Sequence, residues 1–304
     1  MQAIEKAILQ TIIYFDIFSY PLTLLELQKW LWQLKEPDLL VLKNTIDHIS
    51  EIKEKNGLYF LRNSEKNIDL RIQRYNIAED KFKKRWLYFK ILAMMPGVRA
   101  IFICNTLSYS NSRSESDIDL AIIAAPQRIW TARFFTTVFA AFLHIRPTVK
   151  KTQDQICLSF YLEEEHLDLE KIKINNGQDI HFTYWLDQFF PIYAEDNVLE
   201  KFIHSNQWLK KDLPNSIGSY ATYQRQIKTG IAFRIIKKFL SLFIFEKFYK
   251  KIQLKILPQH FKNIAQISNN VVLSDHLLKF HDHDRREYYQ NLWLEKCQKY
   301  LINP

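Results

Sequence analysis

Two stretches near the middle of the chain, VRAIFICN (98–105) and IDLAIIA (118–124), are short, rich in β-branched residues and almost wholly apolar. Such runs read as strands covered on both faces, because a strand with one wet face alternates apolar and polar residues. They demand a sheet enclosed between other layers. Helices must supply those layers, since 5 glycines are too few for a fold built on many tight turns. A length of 304 residues fits two or three domains of ordinary size.

The twelve residues NTLSYSNSRSES join the first run to the acids that open the second. Side chains alternate along a strand, so Asp117 and Asp119 share one face while Ile118 and Leu120 point the other way, into the core. Two carboxylates on one face repel each other unless a cation lies between them. Mg²⁺ suits such a place, because it takes one or two carboxylates together with substrate phosphates. The loop offers hydroxyls at Thr106, Ser108, Ser110, Ser112, Ser114 and Ser116, and its backbone amides can hold phosphate oxygens.

A strand, a small-residue turn bearing a hydroxyl, a short loop and then Asp-hydrophobic-Asp-hydrophobic at the next strand resemble the nucleotidyltransferase domain of the DNA polymerase beta superfamily. The likeness covers residues 97–165. A broader one reaches bacterial proteins of unknown function that pair a winged-helix start with this core. The resemblance implies that Asp117 and Asp119 are the catalytic, metal-binding residues and hold two ions, Mg²⁺ or Mn²⁺. It also implies that Asn105, Thr106, Ser108 and Ser116 contact a nucleoside triphosphate such as ATP, whose nucleoside monophosphate passes to an acceptor by in-line attack. Two cations can stabilise both the attacking and the leaving oxygen.

The chain departs from the family pattern in two places. The family's turn is Gly-Ser or Gly-Gly, whereas this chain has Asn105-Thr106; Asn is the residue after Gly that best tolerates left-handed φ, and Thr keeps the hydroxyl. The family's third carboxylate sits on a later strand, here ICLSFYLEEE (156–165). Its core face is Ile156, Leu158, Phe160 and Leu162, which leaves Cys157, Ser159, Tyr161 and Glu163 opposite. Ser159 stands where the acid is expected. Glu163 shares that face about 13 Å farther along, and Asp154 falls on the other. Both a working transferase and a silent, nucleotide-sensing cleft remain open.

The first 75 residues have their own logic. Ile4, Ile8, Ile12 and Phe15 keep one helical face, TLLE (23–26) has the spacing of a capping box, and Pro37-Asp38 starts a third helix. Asn56-Gly57 between two short runs is a hairpin signal. Three helices and a hairpin make a winged helix-turn-helix pattern, whose wing would set Lys53, Lys55 and Arg62 at DNA phosphates. A protein-interaction module of the same shape is the other reading.

The fold class is therefore helix-rich α+β, divided into a winged-helix-like region at 1–75, a nucleotidyltransferase-like mixed sheet with its leading and flanking helices at 76–190, and a helical region at 191–304. The stretch from Ile227 to Leu257 carries Lys228, Arg234, Lys237, Lys238, Lys247, Lys250, Lys251 and Lys255. It suits a nucleic acid or an acidic membrane surface, or else packs by its Ile and Phe stripe with the lysines in water. The net charge of +9 agrees with a polyanionic partner. In FHDHDRR (280–286), His281 and His283 read as helix caps rather than metal ligands. Three scattered cysteines without a CxxC pair, and an N-terminus unlike a signal peptide, predict a cytoplasmic protein; no apolar stretch reaches the roughly 20 residues of a membrane span.

Overall fold

A computed structural model describes residues 2–300 except 36, 149, 175–177, 244, 282 and 283, and all described side chains but those of 223, 234 and 243. Among these residues the chain is α+β, with 12 helices, a mixed six-stranded sheet and a small three-stranded one. Helix α1 (Ala3–Ile17) comes first, followed by β1 (Leu22–Thr23), α2 (Leu24–Lys29), α3 (Leu39–Asp47), β2 (Ile52–Lys55) and β3 (Leu58–Leu61). The capping box forms: Glu26 N–H donates to Thr23 Oγ1 at 3.2 Å, and Thr23 N–H donates to the Glu26 carboxylate at 2.8 Å. Asp38 caps α3 through the N–H of Leu40 at 2.7 Å. The β2–β3 hairpin turns at Asn56-Gly57, with φ of 56° and 76°, and β1 pairs with the other edge of β3.

The long helix α4 (Asn67–Ala93) leads into β4 (Val98–Ile103), the single turn α5 (Asn105–Ser108), β5 (Ile118–Ala124), α6 (Ile129–Phe142) and β6 (Ile156–Glu163). Then come α7 (Ile180–Asp187), β7 (Phe190–Ala194), α8 (Val198–Ser205), α9 (Ile231–Leu240), α10 (Glu246–Ile256), α11 (Gln259–Ile267), β8 (Val271–Leu273), β9 (Leu277–Phe280) and α12 (Arg286–Lys299). The large sheet runs β7-β4-β5-β6-β9-β8, with β5 antiparallel to β4 and parallel to β6. The two apolar runs are thus inner strands. One face, through Ile101, Ile118, Leu120 and Ile122, packs on α4 and α6; the other, through Phe102, Ala121 and Ile123, packs on α7 and α8.

The C-terminal third differs from the separate helical region its sequence suggests. FPIYA is strand β7, and β8 with β9 extends the sheet beyond β6. At 5, 3 and 4 residues these strands are too short to show a periodicity of their own, and they are stabilised by pairing with neighbours distant in sequence. Helix α12 returns to the first helix, where Trp293 Nε1 donates to Gln10 O at 3.0 Å. The basic stretch divides into α9 and α10, and α9 reverses the packing sense: Ile231, Ile235 and Phe239 are 80%, 62% and 61% exposed. Lys237 faces inward instead, donating to Ala93 O at 3.2 Å and to Glu195 at 2.5 Å. The side chain of Arg234 and residue His283 lie outside the described residues. No helix among them is long and apolar enough to cross a membrane.

Gly97 makes the corner between α4 and β4 at φ 79°, where an added Cβ would lie 3.1 Å from Arg128 O and 3.2 Å from Arg128 Cβ. Gly97→Ala is therefore expected to destabilise the protein by about 1–3 kcal/mol, read as a lower urea midpoint with an unchanged slope.

Candidate active site

The site is assembled where β4 ends and β5 begins. Cys104 N–H donates to Asp119 O at 2.9 Å, which locks the two strand ends together. The next residue, Asn105, takes the left-handed conformation at φ 54°, which Asn tolerates better than most non-glycine residues. That turn aims the Asn105 amide at the acids: Nδ2 donates to Asp119 Oδ2 at 2.6 Å, and Oδ1 accepts from Trp185 Nε1 at 2.6 Å. The indole is donor only, so the contact with Trp185 fixes which way the amide faces.

Asp117, immediately before β5, and Asp119, within it, turn to the same side, and their carboxylate oxygens meet Cys157 Sγ in a cluster whose donor atoms all lie within 4.8 Å of one another. The residue beside the pair is thus Cys157, and the expectation for Ser159 is corrected. Asp119 pairs with Cys157, but an irregularity follows, so that Ala121 pairs with Phe160. Such an extra residue re-aims the side chains around it. Ser159 instead meets His281 Nε2 at 3.0 Å. Glu163 lies at the far end of β6, with His166 and His276. Asp154 is turned away from the pair, accepting from buried Lys81 Nζ at 2.8 Å. Among the described residues, no third carboxylate joins Asp117 and Asp119.

The loop spends several of its hydroxyls internally. Ser108 donates to Asn105 O at 2.6 Å, Ser116 to Arg113 O at 2.9 Å and Ser114 to Glu115 at 3.0 Å, while Ser112 is fully buried. Thr106 is half-buried, and its carbonyl accepts Asn111 N–H at 2.7 Å. The structure therefore unites Asn105, Asp117 and Asp119 and ties Ser108 and Ser116 to main-chain carbonyls. Sequence reasoning missed Lys81 and Trp185, which come from α4 and α7, and His281, read from the sequence as a helix cap, instead meets Ser159 just after β9.

Burial, and next the Asp117 charge, push the Asp119 carboxyl up to about 7. Burial also raises Asp117, against the pull of Lys81. The Cys157 thiol is driven well above its ordinary range, mostly by burial and then by Asp119, so it stays neutral. Two hard carboxylate oxygens fit Mg²⁺, and a neutral thiol adds nothing to that fit. The chain matches no protein-family model, no curated protein and no solved structure.

A raised folded-state value makes the carboxyl's stabilising contribution complete below about pH 4, its unfolded value, and lost as pH rises towards 7. Asp119→Asn removes that loss. The melting temperature of the variant should therefore gain on that of the wild type between pH 4 and 7 and hold the advantage above pH 8. A parallel course of the two curves through this window would contradict the assignment.

Proposed function

We propose that residues 97–165 form a nucleotidyltransferase-type cleft that binds Mg²⁺ with a nucleoside triphosphate and transfers the nucleoside monophosphate to an acceptor. The observation that carries this reading is the pair of carboxylates gathered at the start of β5, one of which, Asp119, accepts from Asn105, a residue held in the left-handed turn that the family builds from glycine. Asp117 and Asp119 are the oxygen donors for the cation. Asn105 orients Asp119 and is itself oriented by Trp185 on α7. Thr106, the next residue of the turn, is the hydroxyl assigned to phosphate. The bound cation would neutralise phosphate charge, and the protein's remaining contribution to an in-line displacement is positioning.

Cys157 in the place of a third acid favours a second reading, in which the cleft binds nucleotide without turning it over. The first 75 residues then act as a winged-helix reader of duplex DNA. Their third helix exposes Lys43, Asn44, Asp47 and His48, and the hairpin exposes Lys53 and Arg62, whereas Lys55 is paired with Glu65. Acids dilute this surface, so phosphate binding here depends on few cations.

Millimolar Mg²⁺ with one of the four ribonucleoside triphosphates should raise the melting temperature of the wild type, because both bind the native state. Asp119→Asn should abolish the rise, and Thr106→Val should weaken it. Labelled nucleotide should also pass to an acceptor in cell extract, and Asp117→Ala/Asp119→Ala should stop the transfer. A thermal shift without transfer supports the silent reading; the absence of both sinks the nucleotide proposal.

Cys157→Asp tests the missing acid directly. It should lower the melting temperature of the metal-free protein by adding a third like charge, and it should tighten Mg²⁺ binding measured by calorimetry. Unchanged Mg²⁺ affinity would show that position 157 does not face the ion.

A further inference from the structure

A second cluster occupies the other end of β6, about 20 Å from Cys157 at roughly 3.3 Å per residue. The donor atoms of Glu163, His166 and His276 all lie within 4.8 Å of one another. Both imidazoles aim Nδ1 at the same carboxylate oxygen: Glu163 Oε2 is 2.7 Å from His166 Nδ1 and 2.5 Å from His276 Nδ1. The rings stack with centroids 3.6 Å apart and planes 27° from parallel. Protonating both rings would place two cations face to face against one carboxylate. A divalent ion set among the three donors supplies the same positive charge without charging either ring.

The main chain holds this arrangement independently of the side-chain contacts. Glu163 N–H donates to His276 O at 2.9 Å and His166 N–H donates to Glu163 O at 3.0 Å. The other oxygen of Glu163 accepts Gln127 N–H at 2.6 Å, which orients the carboxylate as an outer hydrogen bond orients a metal ligand. The neighbouring acid, Asp275, is already engaged by Trp130 Nε1 and Lys250 Nζ, at 2.8 and 2.7 Å. Glu163 is buried, while the imidazole side chains are 49% and 52% exposed, so an ion can enter from solvent.

We infer that Glu163, His166 and His276 form a binding site for a transition-metal dication, Zn²⁺ being the ion that two imidazoles and one carboxylate suit best. On binding, each ring carries its proton on Nε2 and offers the Nδ1 lone pair. The three donors then spread to about 3.3 Å, as metal–ligand distances near 2.0–2.1 Å in a tetrahedron require, with water as the fourth ligand. The bound ion ties residue 276, in the turn between β8 and β9, to the end of β6. This site is separate from the oxygen-only requirement of Mg²⁺ at Asp117 and Asp119.

The test uses the 304-residue chain stripped with EDTA and titrated with zinc sulfate in a calorimeter. The wild type should take up one Zn²⁺ and gain in melting temperature, and Asp117→Asn/Asp119→Asn should do the same. His166→Gln and His276→Gln, both at half-exposed positions, should lose the binding event and the gain. Cobalt(II) bound to the wild type should show the visible absorption of a four-coordinate nitrogen-and-oxygen site, absent from Glu163→Gln. Failure of the wild type to bind stoichiometrically, binding that survives both His variants, or binding lost from the Asp117/Asp119 variant would each overturn the assignment.

Discussion

The centre of the molecule depends on one buried ammonium. Lys81 on α4 is 1% exposed, and its Nζ donates to Ser114 O at 3.1 Å, Ser116 O at 2.6 Å and Asp154 Oδ1 at 2.8 Å. Withdrawing that charge from water is unfavourable by several kcal/mol unless all three donors find acceptors and a counter-charge is at hand. The contact therefore holds the helix, the loop before β5 and the turn before β6 in one place. Asp154, at φ 59°, sends its own N–H to Ser116 O at 3.1 Å, and Ile118 N–H reaches Gln155 O at 2.8 Å. Ser116 immediately precedes Asp117, so the hydrogen bonds that neutralise Lys81 also set where the first carboxylate enters the sheet.

The carboxylate pair then carries an electrostatic penalty that the core does not relieve. Burial opposes ionisation of both acids, and each ionised carboxylate opposes the other. Asn105 offers partial relief with one hydrogen bond to Asp119, at the cost of a non-glycine residue in the left-handed region. Strain and unrelieved charge at one point, in a fold otherwise packed with aliphatic strands, mark the place where the structure is suited to a ligand rather than to stability alone.

Helix α7 links this point to the N-terminal region. Trp185 reaches Asn105, while its neighbours turn the other way: Tyr184 OH donates to Trp30 O at 2.8 Å, and Asp187 accepts from Trp30 Nε1 at 3.0 Å. Tyr184 also stacks on Tyr14 of α1, with ring centroids 4.2 Å apart. Helix α12 adds Trp293 and Cys297 to the same N-terminal core. The first 75 residues thus share their apolar interior with segments from the middle and the end of the chain.

By itself the sequence determined the local events. The apolar runs that became β4 and β5, the capping box at Thr23, the Asn56-Gly57 turn, the left-handed Asn105 and the common face of Asp117 and Asp119 all follow from residues within a few positions of one another. Backbone sterics, side-chain alternation and capping act over that range, so a single sequence expresses them. Tertiary structure decided what depends on distant partners: Cys157 rather than Ser159 beside the pair, because β6 aligns Cys157 with Asp119 and Ser159 falls in the irregularity that follows; Glu163 gathered with two histidines instead of with the acids; and β7, β8 and β9 drawn into the sheet. Register between strands is fixed by the packing of whole faces and by hydrogen bonds between segments remote in sequence, and no local pattern records a shift of one residue.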